Sequence, residues 1–204
     1  GNVFLENGVV ISSDDEEFTF EFHNETQVDY RLYTMGHLGQ TSNGFSIPRE
    51  RLYFQGRLTK PIEYRVVLTR GFITQQDILD AYLTFRIADD RLQARIGRYR
   101  VPFSYEWWME MNQYFINPER SLFAVNFGLN RMFGGALTGK LWEDRFDYAV
   151  GIFNGPRNSF EDYNNSKDVI AYLNLRPWAD SKEFEFLKYL NIGGSVDYGN
   201  QDNP

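Results

Sequence analysis

The sequence predicts an all-β protein, an antiparallel up-and-down sheet of long strands that closes as a transmembrane β-barrel. Three observations lead there. Apolar and polar residues alternate with period two over stretches longer than ordinary soluble strands. The connections between these stretches alternate between long and short, the layout of a meander with tight turns on one side and long loops on the other. Aromatic residues make up 17% of the 204-residue chain, with 18 Phe and 13 Tyr, a composition that favours strands. Several fall near strand ends, as interfacial girdles do: Tyr30, Tyr33, Phe72, Phe85, Trp142, Phe146 and Trp178.

Residues 1–17 read as a solvated periplasmic lead-in, ending in the acidic run Asp14, Asp15, Glu16 and Glu17. The first strand is read at 18–33. Its even positions, Phe18, Phe20, Phe22, Val28, Tyr30 and Leu32, are mostly apolar. Its odd positions carry Glu21, His23, Glu25, Asp29 and Arg31. At ~3.3 Å per residue it is roughly 50 Å long. In 47–60, Leu52, Phe54 and Leu58 oppose Arg49, Arg51, Tyr53, Gln55 and Arg57. In 62–70, Ile62, Tyr64, Val66 and Leu68 oppose Glu63, Arg65, Val67 and Thr69. In 77–87, Leu79, Ala81, Leu83, Phe85 and Ile87 oppose Asp80, Tyr82, Thr84 and Arg86. In 92–97, Leu92, Ala94 and Ile96 oppose Gln93 and Arg95. Further strands are read at 131–141, 146–154, 168–176 and 191–198, about nine in all. Short connections fall at 59–61, 88–91 and 142–145. Long ones fall at 34–46, 71–77, 102–130 and 156–166, and 177–190 is long on the short side.

Composition narrows the function classes. The formal net charge of −7 argues against a global nucleic-acid footprint. With no cysteine there is no disulfide frame, thiolate metal site or thiol nucleophile. Two histidines, His23 and His37, make a multi-histidine metal site hard to build. No cofactor or metal is expected. No apolar run is long enough for a membrane-spanning helix. An acyl-hydrolase barrel needs a serine facing a histidine on the wall, and none reads opposite His23, so no enzymatic activity is expected. "RMFGGALTGKL" carries three glycines but lacks the spacing of a phosphate loop; strand glycines that admit a close neighbour fit better. "NNS" at 164–166 matches a glycosylation acceptor only formally.

In a closed barrel the charged face lines the lumen. The expected pore-lining set is Arg31, Arg49, Arg51, Arg57, Arg65, Arg86 and Arg95, with Glu21, Glu63 and Asp80. Such an arginine ladder lowers the barrier to anions. The interleaved acids allow the opposite arrangement, an internal ion-pair network with no transport role. The stretch "RLQARIGRYRVPFSYEWW" (91–108) places Arg98 and Arg100 at the outer rim. A bulge at Gly97 would turn them inward, and Pro102 would end the strand.

Three segments resemble the phosphate-selective porin O and P family. They are "ARIGRYRVPFSYE" (94–106), "NPERSLF" with "RMFGGALTGKL" (117–123 and 131–141), and "FDYAVGIFNG" (146–155). Their order and spacing match, and "RERLYFQGRL" (49–58) is compatible. The resemblance covers roughly 18–177. It implies a barrel of about 16 strands in an outer membrane of Gram-negative type, usually trimeric, passing small anions and other hydrophilic solutes without covalent chemistry. On that implication 18–204 is the N-terminal portion of a single barrel domain, against outer-membrane lipid and sister subunits or another outer-membrane protein.

The 102–130 segment is then the third outward loop, expected to fold into the lumen and set the constriction with Glu106, Glu110, Glu119 and Arg120; the alternative is a surface or subunit-contact loop. Rival readings of the whole chain are a soluble β-sandwich binding glycans through Tyr105, Trp107 and Trp108, or a non-conducting structural barrel.

Overall fold

A computed structural model describes residues 2–5, 8–32, 43–70, 76–109, 121–122, 128–156, 162, 165–179 and 181–199. Several expected features lie outside them: most of the first long loop with His37, the girdle residues Tyr33 and Phe72, Asn164 of "NNS", and Glu110, Glu119 and Arg120. The described residues form one antiparallel sheet of eleven strands paired in sequence order. No ladder joins the first strand to the last among them. The helical elements among the described residues are one turn at Tyr105–Trp108 and a 3-10 turn at Glu185–Leu187.

Nine strands follow the sequence reading closely: β3 (Thr19–Arg31), β4 (Gly44–Thr59), β5 (Ile62–Arg70), β6 (Gln76–Arg86), β7 (Gln93–Arg100), β8 (Arg131–Leu141), β9 (Phe146–Phe153), β10 (Asp168–Leu175) and β11 (Ile192–Tyr198). Two more precede them, β1 (Asn2–Leu5) and β2 (Val9–Ser12), paired with each other and, through β2, with β3. The count of about nine strands is therefore corrected to eleven among the described residues, the two added strands lying within the segment read as a lead-in. Four-residue strands are too short to display a period. The acidic run is instead a turn between β2 and β3. There the Ser13 hydroxyl donates to Asp15 at 2.5 Å, and the Phe18 amide donates back to the Ser13 oxygen at 3.0 Å. The bond from the Ser13 hydroxyl, with the Glu17 amide next, holds the Asp15 carboxyl below its usual pKa.

Tight turns close where the sequence placed them. The Arg91 amide donates to Ala88 O at 3.1 Å, and the Arg145 amide to Trp142 O at 3.1 Å. In the second turn Trp142, Glu143 and Asp144 all take positive φ. One irregularity sits in the β3–β4 ladder. Gln27 pairs with Arg49 but Asp29 pairs with Ser46, so Ile47 and Pro48 together oppose Val28. Proline has no amide to donate, and a bulge is where a strand tolerates it.

The residues divide into two compact units, residues 1–60 with 64–79 and residues 61–63 with 80–204. In each unit apolar side chains stand exposed on one face of the sheet while polar ones on the other face are sheltered. In the second, β9 buries Asp147, Ala149 and Phe153 while Val150 and Ile152 are exposed. Next to it β10 buries Asp168, Ile170, Tyr172 and Asn174 while Val169 and Leu173 are exposed. In the first, Val28 and Phe45 are exposed, whereas the charged parity of β3 from Glu21 to Asp29 is partly buried. The core of the second unit lies on this sheltered face: Tyr99, Val101, Leu129, Met132, Ala136, Phe153 and Ile170.

Candidate functional site: the sheltered face and the segment that lies on it

Strand pairing brings the sequence-predicted residues of the first unit onto one face. The register sets Glu21 opposite Gln55, His23 opposite Tyr53, Glu25 opposite Arg51 and Gln27 opposite Arg49. Directly opposed side chains lie within reach of one another, and these bond. Gln55 donates to Glu21 at 2.9 Å and Arg49 to Gln27 at 2.8 Å. Arg51 lies 3.6 Å from Glu25, and Arg49 lies 4.0 Å from the same carboxylate. The Tyr53 hydroxyl donates to Glu25, and Arg65 stacks over the Tyr53 ring at 5.3 Å. Arg31 is 3.6 Å from Asp29. Arg57 takes the position opposite Thr19, with its backbone amide donating to the Thr19 hydroxyl at 2.9 Å. His23 is a wall residue 3.5 Å from Glu21. The predicted arginine row exists as a row, but carboxylates are threaded through it.

The second unit repeats the pairing. Arg86 reaches Glu63 at 2.7 Å and Asp90 at 3.8 Å. Asp80 accepts from Arg131 at 2.7 and 3.4 Å, and both side chains are almost buried. Asp147 accepts from Arg176 at 3.1 Å. Arg131 and Arg176 were not among the predicted site residues. Asp147 sits on the buried parity of β9 and was legible there. Arg131 occupies the opposite parity and was not.

Arg95 differs from the others. Its guanidinium lies 4.5 Å from the Tyr82 ring, 5.4 Å from Tyr99 and 5.6 Å from Trp108, and its Nε donates to the Thr84 hydroxyl at 3.3 Å. No ion pair of Arg95 occurs among the described residues. Tyr82 and Tyr99 belong to the wall, whereas Trp108 belongs to the segment that follows β7.

That segment, residues 101–108, packs on the sheltered face. Val101 and Pro102 are fully buried, and Phe103 and Trp108 pack on the core cluster. The Ser104 amide donates to Ser195 Oγ at 3.0 Å, and Ser195 lies in β11, opposite Tyr172. The Trp107 indole donates to Asn130 O at 3.1 Å, and Arg100 stacks over that ring at 5.6 Å. Glu106 accepts from the Ser121 amide at 2.7 Å and from its hydroxyl, tying the two ends of the described loop together. Small residues make room beneath: Gly97 faces Gly134, and Ala136 faces Gly151.

The bulge expected at Gly97 is corrected. The register runs through it without a shift on both sides. Gly97 instead takes φ +132 and lies so close to β6 that a Cβ would stand 2.3 Å from Ala81 O. Arg98 is 4% exposed although it shares parity with Ile96, which is 58% exposed. Pro102 follows the strand end at Arg100, as expected.

Among the described residues no three His, Asp or Glu side chains gather into a set that could hold a metal ion. No protein-family model matches the chain, and no curated protein matches it.

Proposed function

We propose that this chain belongs to an outer-membrane diffusion porin, with its exposed apolar face against lipid and its sheltered face toward an aqueous passage for small hydrophilic solutes. The observation that carries the reading is the exposed apolar face of the sheet. Fully burying one Val, Leu or Ile is worth ~1.5–3 kcal/mol. A dozen of them half exposed in water would forgo on the order of 10 kcal/mol, as much as the whole stability of an ordinary domain. Hydrocarbon removes that penalty, and it requires the sheet to close, because an unpaired strand edge in lipid costs several kcal/mol per group. The resemblance to the porin O and P family supports closure at about 16 strands and a trimer. The tight turns would then lie on the periplasmic side and the 101–130 loop on the outer side.

The threaded carboxylates argue for a general passage with mild ion preference rather than a strong phosphate site. Reconstitution of the full-length protein in planar bilayers tests the reading. Discrete conductance steps are expected, with reversal potentials under a salt gradient that change little when phosphate replaces chloride. A protein that stays monomeric and soluble without detergent, and produces no steps, overturns it.

A further inference from the structure

The geometry points to Arg95 as the positioning residue of the 101–108 segment, which it holds against the wall through its stacked guanidinium rather than through its charge. The sequence groups Arg95 with the other arginines of the face, as one rung of a ladder. The structure separates it. Arg49, Arg51, Arg86, Arg131 and Arg176 meet carboxylates. Arg95 meets three rings and a hydroxyl.

The rings come from two sides. Tyr82 on β6 and Tyr99 on β7 are themselves edge-to-face at 5.5 Å, so the wall half of the stack is fixed. Tyr99 in turn meets Phe153 on β9 at 5.7 Å. Trp108 is the only ring of the three on the segment. A cation over aromatic faces is favoured more when desolvated than when exposed, and the planar guanidinium of Arg can lie against several ring faces at once, which the compact ammonium of Lys does not reproduce. The second fastening is far along the chain, where the Ser104 amide meets the hydroxyl of Ser195 on β11. Two anchors, one on β6–β7 and one on β11, lay residues 101–108 across the intervening strands β8–β10. Where the segment lies sets how much of the face a solute can reach.

Because the chain has no cysteine, the arrangement is open to a clean thiol test. Ser104→Cys and Ser195→Cys are introduced together in the full-length protein. The Ser104–Ser195 contact puts their Cα atoms within about 7 Å, inside or near disulfide range. Bridging is followed on gels with oxidant and with a short bis-thiol reagent, in backgrounds carrying Arg95, Arg95→Lys and Arg95→Gln. If stacking positions the segment, both replacements lower the bridging yield, by about fivefold or more, and Lys is no better than Gln. If charge is what matters, Lys bridges like Arg, and the inference is overturned. Equal yields in all three backgrounds overturn it as well.

The consequence for transport rests on the porin reading and is measured separately. Arg95→Lys and Arg95→Gln both raise single-channel conductance by about 1.5-fold or more, with added open-channel noise. Wild-type conductance that neither variant changes overturns the link between segment and passage while leaving the porin reading intact. Normal bridging behaviour in a protein that never conducts overturns the porin reading and leaves the positioning role standing. Retained heat-modifiable migration on gels shows that each variant has folded. Should Arg95→Gln lose it, Arg95→Lys against Arg95 still decides between stacking and charge.

Discussion

Arg131 illustrates how a single side chain can escape the rule that organises its neighbours. Its partner in the ladder is Arg100, which shares parity with the exposed Ile96 on β7. Period two sends Arg131 outward too, yet it is 5% exposed and bound to Asp80. It is the first residue of β8 and follows Asn130, which takes φ 61, so the ladder constrains it least. Asp80 was legible from the sequence because it sits two periods of the alternation inside β6; its partner was not, because strand ends are where parity is weakest. A buried ion pair adds little by itself, but removing one partner strands the other. Arg131→Met is therefore expected to lower the unfolding free energy by about 3 kcal/mol, measured by urea unfolding from lipid vesicles. Adding Asp80→Asn to that variant recovers most of the loss. Equal destabilisation by the single and double variants would show that packing, not pairing, holds the site.

At the scale of elements, long strands were readable and short ones were not. β3 and β4 declare themselves because thirteen and sixteen residues repeat the alternation many times over. β1 and β2 do not, although Asn7-Gly8 between "VFLE" and "VVIS" is a strong hairpin signal that outweighs the polar lead-in reading. The bulge opposite Val28 could be placed only once the register was known, since Pro48 alone is compatible with a strand edge as well. The course of 101–108 was half legible. Its aromatic spacing indicated a packed segment, but the contact between Ser104 and Ser195 spans 91 positions, and no local pattern encodes it. The alternation itself makes a testable claim on β10. Arginine placed singly at Val169, Ala171 and Leu173 should each impair assembly into vesicles, by up to about 2–4 kcal/mol nearest the bilayer midplane. Arginine at Asn174, on the buried parity, should be tolerated better than at Leu173. A scan without period two would refute the assignment of faces.

For the molecule as a whole, the arrangement of charge matters more than its total. The net charge is −7, while the sheltered face carries arginines matched to acids at close range. A matched pair contributes almost no field beyond a Debye length, about 8 Å at physiological salt. Arg51→Gln alone leaves Glu25 without that partner and should move the reversal potential toward cations. Glu25→Gln with Arg51→Gln removes both charges and should return it to the wild-type value. A double variant that stays shifted would mean that Arg51 acts on permeating ions individually, as a true rung of a ladder.

On the porin reading, the exposed apolar face also bears on how such a chain travels. Its mean hydropathy is −0.49, because every apolar residue of a strand is averaged with the polar residue beside it. Machinery that samples a nascent chain in windows of about 19 residues for helices finds nothing in it to retain. The lipid-compatible surface does not exist along the thread; it comes into being when neighbouring strands align their alternate residues side by side. On the porin reading proposed above, such a polypeptide would pass through one bilayer unnoticed and become insoluble in water only as it pairs, so its safe delivery would depend on postponing strand pairing until the destination membrane is at hand.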